Sequence, residues 1–135
     1  MKLVVDTNVL MTYFWKNSET RKIIILNDEI ELIAPEFALE EINKHKEEII
    51  KKSKISEEEF KVSRIDLAIS VKFFSVDYYK DFLKKTIEFS PDPKDIDFFA
   101  LALKTNSSLW TNDAKLKKQD KVKIISTEEL IKIIN

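Results

Sequence analysis

The chain has 135 residues, of which 44% are apolar and 35% are charged, and its formal net charge is −1. This composition predicts one globular domain spanning residues 1–135, and it gives no overall basic signal for nucleic-acid binding. Cysteine is absent, which excludes disulfides and thiolate metal sites. Glycine is also absent, which excludes P-loops and dinucleotide-binding glycine turns. His45 is the one histidine, which argues against Ser-His-Asp catalysis and multi-histidine zinc sites.

The first half of the chain alternates short apolar runs with helical patterns. Lys2–Val5 is an apolar-rich run without polar alternation, which is typical of a buried parallel strand. Pro35 suits the first turn of a helix, and Ser56 with Glu59 forms a capping-box pattern. The predicted elements are helices over 9–15, 19–27, 35–53 and 57–68, and a strand over 31–34.

The second half continues the same alternation and ends with another capping-box pattern, Ser126 with Glu129. The predicted elements are strands over 71–76, 108–111 and 122–125, helices over 77–87 and 94–104, a proline-containing loop over 90–93, and a C-terminal helix. Strands alternating with helices predict an α/β fold: a three-layer α/β/α sandwich with a central, mostly parallel five-stranded sheet. Four aromatic residues are expected in its core: Trp15, Phe98, Phe99 and Trp110.

Four widely spaced acidic residues stand where an apolar run ends or a helix begins: Asp6, Glu41, Asp95 and Asp113. Each has a structural alternative, because an acid at a helix start is a common cap and an acid along a helix is commonly solvated. In an α/β fold, however, strand ends meet at the crevice that holds ligands. Four carboxylates there need a counter-charge, which a hard divalent cation supplies. The pattern therefore predicts a metal site for phosphoryl chemistry.

Polar residues beside these acids are candidates to orient water, metal or phosphate: Thr7, Asn8, Asp97, Thr111 and Asn112. Whether Asp92 or Asp97 joins the metal site stays open, because both lie within three residues of Asp95. Lysines near the acids are candidates for phosphate contacts, with a solvated surface as the alternative: Lys44, Lys46, Lys115, Lys117 and Lys118. His45 is expected on a helix surface, and contact with the site is the alternative because it lies four residues after Glu41.

At these residues the chain resembles the PIN-domain family of metal-dependent nucleases, which includes VapC-type toxin ribonucleases. The similar motifs are Val4-Val5-Asp6-Thr7-Asn8, Glu41 after an apolar helix start, Asp95 before the run Phe98-Phe99-Ala100-Leu101-Ala102, and Trp110-Thr111-Asn112-Asp113. The resemblance covers the chain from Leu3 to about Ile125. It implies an endoribonuclease whose four acidic residues hold Mg²⁺ or Mn²⁺ and hydrolyse RNA phosphodiester bonds.

The resemblance also implies partners beyond an RNA substrate, namely an antitoxin protein and a second copy of the chain. An apolar strip is a candidate groove for either, unless it is buried in the core: Met11, Phe14, Trp15, Ile23 and Ile24. A catalytically silent PIN-like module that binds protein or RNA is the main alternative function. A phosphatase of the Asp-x-Asp type fits less well, because Asn8 stands where the second aspartate is needed.

No apolar run approaches the length of a membrane span, and Asp6 breaks the short apolar start of the chain. We therefore expect a cytoplasmic protein without a membrane partner.

Overall fold

The computed structural model describes residues 1–134, and its centre is a five-stranded sheet. The strands are β1 (Lys2–Val5), β2 (Glu31–Pro35), β3 (Val71–Phe74), β4 (Ser108–Trp110) and β5 (Ile124–Ile125). Their order is β3-β2-β1-β4-β5, and all four pairings are parallel. Val4 at the middle of the sheet pairs with Ile33 on one side and Leu109 on the other. The carboxyl ends of β1, β2 and β4 therefore lie side by side.

Helices connect the strands. Within the described residues they are α1 (Thr7–Thr12), α2 (Glu19–Leu26), α3 (Glu36–Lys44), α4 (Lys46–Ser53), α5 (Glu57–Ser70), α6 (Val76–Tyr79), α7 (Leu83–Ile87), α8 (Ile96–Thr105) and α9 (Thr127–Ile134). Short 3₁₀ turns occupy Lys80–Phe82, Pro93–Asp95 and Ala114–Lys118. In this part of the chain, no helix has the length and apolar character needed to cross a membrane.

The layers follow from how the helices pack. Helix α8 lies across β1, β2 and β4, and it contacts α6 and α7 on its other sides. Helix α5 packs against β3, and α2 contacts α9. The result confirms the predicted three-layer α/β/α sandwich around a five-stranded sheet, which is parallel throughout rather than mostly parallel.

The core explains why β1 and α8 sit at the centre. Leu3, Val4 and Val5 are fully buried, as expected for a strand covered on both faces. Helix α8 is apolar nearly all round, and its residues Phe98–Ala102 are buried. Trp110 is also buried, and its indole Nε1 donates a hydrogen bond to Thr127 Oγ1 at 2.9 Å. A central strand and a central helix of this kind hold the neighbouring loops on a rigid base.

Two predicted helices are interrupted. The helix expected over 35–53 divides at His45, whose φ of −99° and ψ of 19° end α3 and begin α4. The helix expected over 77–87 divides into α6, a 3₁₀ turn and α7. Neither interruption contains glycine or proline, so tertiary packing overrides local helix propensity at both places.

The predicted apolar strip is mostly core. Phe14, Ile23 and Ile24 are buried, so they offer no groove for a partner. Trp15 was expected in the core, but its side chain lies in a bend after α1 and is 49% exposed. A different set of apolar side chains is open to solvent on α2 and α5: Ile25, Leu26, Val62, Ile65 and Ile69. We call this set the α2/α5 face, and two of its members, Ile25 and Ile69, line one surface cavity.

Candidate active site

A cleft of about 680 Å³ opens at the carboxyl edge of the sheet. Its lining comes from the residues that follow β1, from one face of α3 and α4, and from the turn before α8. The residue that begins the 3₁₀ turn after β4 also lines it. Its acidic members are Asp6, Glu41, Glu48, Asp92, Asp95 and Asp113. The four acids singled out in the sequence therefore line one cleft, although they lie up to 107 positions apart in the chain.

The hydroxyl of Thr111 links two of these acids. Its Oγ1 donates a hydrogen bond to Asp6 Oδ2 at 2.7 Å, and the same oxygen accepts one from the Asp113 backbone N–H at 3.1 Å. Strand pairing brings the three residues together, because the Asp6 N–H also bonds to the carbonyl of Trp110 at 3.0 Å. Asp6 precedes α1 but makes no capping hydrogen bond there with its side chain. Its carboxylate is held by Thr111, the residue after β4, and the backbone N–H groups of Thr7 and Asn8 at the start of α1 also lower its pKa.

Burial and mutual repulsion raise the pKa of two cleft carboxyls. For Asp6, burial raises the pKa, the hydrogen bond from Thr111 lowers it, and the charge of Asp113 raises it further. For Asp95, burial comes first and the charges of Asp6, Asp92 and Asp113 add to it, so that the pKa rises to about 6 while Lys115 opposes the shift. Raised values in a cleft mark a site where ionised carboxylates lack sufficient counter-charge.

Glu41 and His45 form the opposite wall. Glu41 lies on α3, one helical turn after Phe37, and its Oε2 is 3.4 Å from His45 Nε2. The other ring nitrogen of His45, Nδ1, is 3.5 Å from Glu48 Oε2. His45 lies on the helix surface as expected, with its side chain 39% exposed, and it also lines the cleft. The spacing from Glu41 was visible in the sequence, whereas the helix break at His45 had no local signal.

The cleft offers the ligand types that a hard cation prefers, although the side chains are not arranged as a preformed metal site. Within residues 1–134, no three acidic or histidine side chains stand close enough together to form a ready metal-binding group. The cleft nevertheless offers carboxylate oxygens from separate elements, the ligand type that Mg²⁺ and Mn²⁺ prefer. Thr7 Oγ1 is also buried beside Asp6 and has no hydrogen-bond partner among the described residues. Carboxylates this close repel one another, and a divalent cation bound between their oxygens would offset that repulsion.

The remaining polar candidates separate into two groups. Asn8 and Asp92 line the cleft, although the Asp92 side chain also accepts a hydrogen bond from the Lys94 backbone N–H at 2.9 Å. Asn112 is bound elsewhere, since its Oδ1 accepts from the Thr127 backbone N–H at 2.8 Å. Asp97 is absent from the lining residues of the cleft, and its Oδ2 accepts a hydrogen bond from the Tyr79 hydroxyl at 2.5 Å.

The Tyr79–Asp97 contact yields a stability prediction. Tyr79 is buried, and burial together with Asp97 raises the pKa of its phenol, which keeps the proton available for donation. Replacing Tyr79 with Phe should lower the free energy of unfolding by about 2 kcal/mol, because hydrogen bonds to charged groups contribute about that much. Urea denaturation measures the loss. Tyr78→Phe is the control because Tyr78 is exposed and no hydrogen bond from its hydroxyl is found within the described residues; an equal loss in both variants would contradict the assignment.

The lysines differ in how free they are. Lys44, Lys52 and Lys94 line the cleft, where Lys52 Nζ is 2.8 Å from Glu48 Oε1, and Lys115 lies near enough to Asp95 to lower its pKa. Two other predicted phosphate contacts are engaged in ion pairs: Lys46 Nζ is 2.6 Å from Glu57 Oε1, and Lys117 Nζ is 2.9 Å from Glu129 Oε1. The positive side of the cleft thus comes mainly from α3, α4 and the turn before α8.

Comparison with known proteins places this architecture. The family model described as PIN domain matches residues 4–131. A chain in the crystal structure of VapBC2 from Rickettsia felis bound to a DNA fragment from their promoter is 16% identical, with 93% of this chain and 98% of that chain covered and a TM-score of 0.66. PAE2754 from Pyrobaculum aerophilum is 15% identical, with 99% and 89% covered and a TM-score of 0.69. No curated protein matches the sequence significantly.

At such identities the two solved structures show a shared fold and no more. The family match carries more weight, since it covers almost the whole chain, including the four acids singled out in the sequence. Together with the parallel sheet and helical layers, it confirms the resemblance seen in the sequence motifs. The chain belongs to the PIN domain family.

Proposed function

We propose that the protein, as a single PIN-like domain over residues 1–135, is a metal-dependent endoribonuclease that hydrolyses RNA phosphodiester bonds. PIN domains are generally nucleases, and membership in the family supports the general reaction. The observation that carries the proposal is the meeting of Asp6, Glu41, Asp95 and Asp113 at one cleft, with the pKa values of Asp6 and Asp95 raised. An RNA substrate agrees with the expected cytoplasmic location.

Each acid has a role in this proposal. Asp6, Glu41, Asp95 and Asp113 would hold one or two Mg²⁺ or Mn²⁺ ions. When bound, such an ion lowers the pKa of water and stabilises charge on the reacting phosphate. Thr111 would keep the Asp6 carboxylate in place through its 2.7 Å hydrogen bond. Thr7 and Asn8, which also line the cleft, would contact water or phosphate, whereas Asn112 and Asp97 would act through the fold because both have partners elsewhere.

The reaction would be an in-line hydrolysis. Water attacks phosphorus while a cleft carboxylate accepts its proton, the bond to the 3′ oxygen breaks, and that oxygen takes up a proton. The products would be a 5′-phosphate and a 3′-hydroxyl, as the resemblance implies. Lys44, Lys52 and Lys94 line the same cleft and would attract the flanking phosphates, which the acidic residues alone would repel.

The direct test is cleavage of a labelled, mixed-sequence RNA by the purified protein in Mg²⁺, in Mn²⁺ and in EDTA. We expect cutting in either metal, none in EDTA, and 5′-phosphate ends on the downstream fragments. Cutting that persists in EDTA, or ends of another chemistry, would contradict the proposed reaction. Failure to cut any RNA in either metal would favour the alternative, a catalytically silent module that binds RNA or protein.

Thr111 gives a second test within the same site. Thr111→Val removes the hydroxyl that donates to Asp6 and accepts from the Asp113 N–H. We expect the cleavage rate to fall by about tenfold, because losing a residue that hydrogen-bonds a metal ligand typically lowers activity by about 10–100-fold. Thr111→Ser keeps the hydroxyl and should cut at nearly the wild-type rate. Single-turnover rates at saturating protein measure both. Equal losses in the two variants would indicate a packing role instead.

We also propose an antitoxin as a partner, which would make the protein the toxin of a toxin–antitoxin pair. The α2/α5 face supports this, because Ile25 is 52% exposed, Ile69 is 79% exposed and both line one surface cavity, and large apolar side chains grouped on a surface commonly mark protein contacts. One fold neighbour is itself described as VapBC2. Co-purification with the product of a neighbouring gene for a small DNA-binding protein would test this, with Ile69→Glu expected to weaken it. A homodimer through the same face is the competing outcome, which light scattering of the protein alone would detect.

A further inference from the structure

Phe37 is an exposed aromatic ring inside a cleft lined mostly by charged and polar side chains. Phe37 is 38% exposed, whereas the neighbouring Phe98 is 2% exposed. Covering apolar aromatic surface with a ligand is favourable in water, so an open ring at a candidate active site is available for such a contact.

The ring is held in a defined orientation. Its centroid lies 6.4 Å from that of Phe98 with an interplanar angle of 75°, an edge-to-face contact. Phe98 is anchored in the buried helix α8, and Phe37 itself stands in the first turn of α3. The contact therefore restrains the plane of Phe37 while the rest of the ring remains open to the cleft.

The position of the ring relative to the acids matters equally. Phe37 precedes Glu41 by four residues, so the two side chains lie on the same face of α3, with Cβ atoms roughly 6 Å apart. A phosphodiester bound near Glu41 would carry its attached base to about the distance of the Phe37 ring. Lys52, at the far end of the same wall, pairs with Glu48 at 2.8 Å, and a phosphate further along the strand would compete with Glu48 for it.

We propose that Phe37 is a stacking platform for an unpaired nucleobase next to the scissile phosphate of a single-stranded RNA; this rests on the proposed nuclease function. Stacking on an aromatic side chain tolerates any base and adds binding that does not depend on charge. In an acidic cleft this is a useful source of affinity, because the acids repel the backbone that the lysines attract. A paired base cannot stack in this way without leaving its duplex.

Binding in EDTA at low salt tests the proposal without cleavage. The probe is a short RNA carrying 2-aminopurine, a base whose fluorescence falls when it stacks, used single-stranded and annealed to its complement. Phe37→Leu should weaken single-strand binding by about tenfold and abolish the fluorescence change, while Phe37→Trp should retain both. Duplex binding should not change. Trp15→Leu, which alters an exposed aromatic outside the cleft, should behave as wild type.

Salt dependence separates stacking from charge. Phe37→Leu should leave the slope of log affinity against log salt unchanged, whereas Lys52→Gln should reduce it by about one. The proposal is overturned if Phe37→Leu binds single strands as wild type does, if it weakens single strands and duplex equally, or if wild type binds no single-stranded RNA. A wild type that binds as expected but never cuts RNA in Mg²⁺ or Mn²⁺ would overturn the nuclease function and leave the platform standing.

Discussion

Replacing Asp6 with Asn should lower RNA cleavage by at least about 100-fold without weakening the fold. Loss of an outer partner of a metal ligand typically costs 10–100-fold, and a carboxylate at the centre of the cleft should cost at least the upper end of that range. Asn keeps the shape of the side chain and can still accept the hydrogen bond from Thr111. Single-turnover rates in Mg²⁺ and Mn²⁺ measure the loss.

Asp6→Asn should also change the stability of the fold. Because burial raises the pKa of Asp6, its charged form destabilises the folded protein at neutral pH. The melting temperature of Asp6→Asn in EDTA should therefore equal or exceed that of wild type. Mn²⁺ at 100 times its dissociation constant should stabilise wild type by about 2.7 kcal/mol and the variant far less.

Asp97→Asn is the matched control for this experiment. Asp97 lies outside the cleft, and Asn can still accept the hydrogen bond of Tyr79. We expect its cleavage rate to stay within about threefold of wild type. Cleavage by Asp6→Asn within tenfold of wild type, or an equal loss in both variants, would show that the cleft acids do not form the reacting site.

Asp6 and Asp97 show which features of the fold and the site could be predicted from the sequence. The strand–helix alternation predicted the layers and the sheet, because buried parallel strands such as β1 are continuous apolar runs. The same pattern placed Asp6 and Asp113 at strand ends, where a parallel sheet brings them together. Asp95 and Asp97, two residues apart, could not be separated by spacing alone. Their roles depend on Tyr79, which lies 18 residues before Asp97 and is recruited by tertiary packing.

The features that sequence reasoning missed share one cause. His45 lines the cleft at a helix break without glycine or proline, and Phe37 stays open beside the buried Phe98. Trp15 was expected in the core and lies at the surface. In each case the identity of the residue gives its local preference, but exposure depends on which distant element packs over it. Such side chains need the assembled fold before a role can be inferred.

In the absence of divalent cations, the protein should become more stable as the pH falls from 7.5 to 5. The folded-state pKa of Asp95 is raised from 3.8 to about 6, mainly by burial and then by the neighbouring carboxylates. A raised carboxyl pKa means that the folded state binds a proton more readily than the unfolded state, so stability increases as the pH falls through about 6. Asp6, also raised, acts in the same direction.

The size of the effect is set by exposure. The shift of Asp95 would correspond to about 3 kcal/mol for a fully buried group, but Asp95 is only half-buried, so after solvent screening we expect about 1 kcal/mol. Urea denaturation in EDTA at pH 5 and pH 7.5 measures it, provided that the dependence on urea keeps the same slope. Asp95→Asn should lose most of the gain and be more stable than wild type at pH 7.5. Asp77→Asn, an exposed aspartate paired with Lys80, should keep the gain.

Surface carboxylates limit this gain in stability at the acidic end of the pH range. Ion pairs and helix-cap hydrogen bonds lower the pKa values of Glu48, Glu57, Glu59 and Glu129, that of Glu129 to about 2. A lowered carboxyl pKa contributes stability that is present above the ordinary value of 4.5 and is lost as the pH falls below it. Opposing contributions from the cleft and the surface therefore place the stability maximum near pH 5. A metal-free curve that declines steadily from pH 7.5 to 5 would contradict the raised pKa of Asp95.

Saturating Mn²⁺ should reverse the slope between pH 5 and pH 7.5. Divalent binding requires ionised carboxylates, so protons compete with the metal below about pH 6. The repulsion among Asp6, Asp95 and Asp113 that weakens the metal-free protein at pH 7.5 then becomes the source of metal affinity. Wild type should be more stable at pH 7.5 than at pH 5 with Mn²⁺, and less stable with EDTA. If Mn²⁺ left the metal-free pH curve unchanged, the cleft acids would not be metal ligands, whatever the RNA cleavage assays gave.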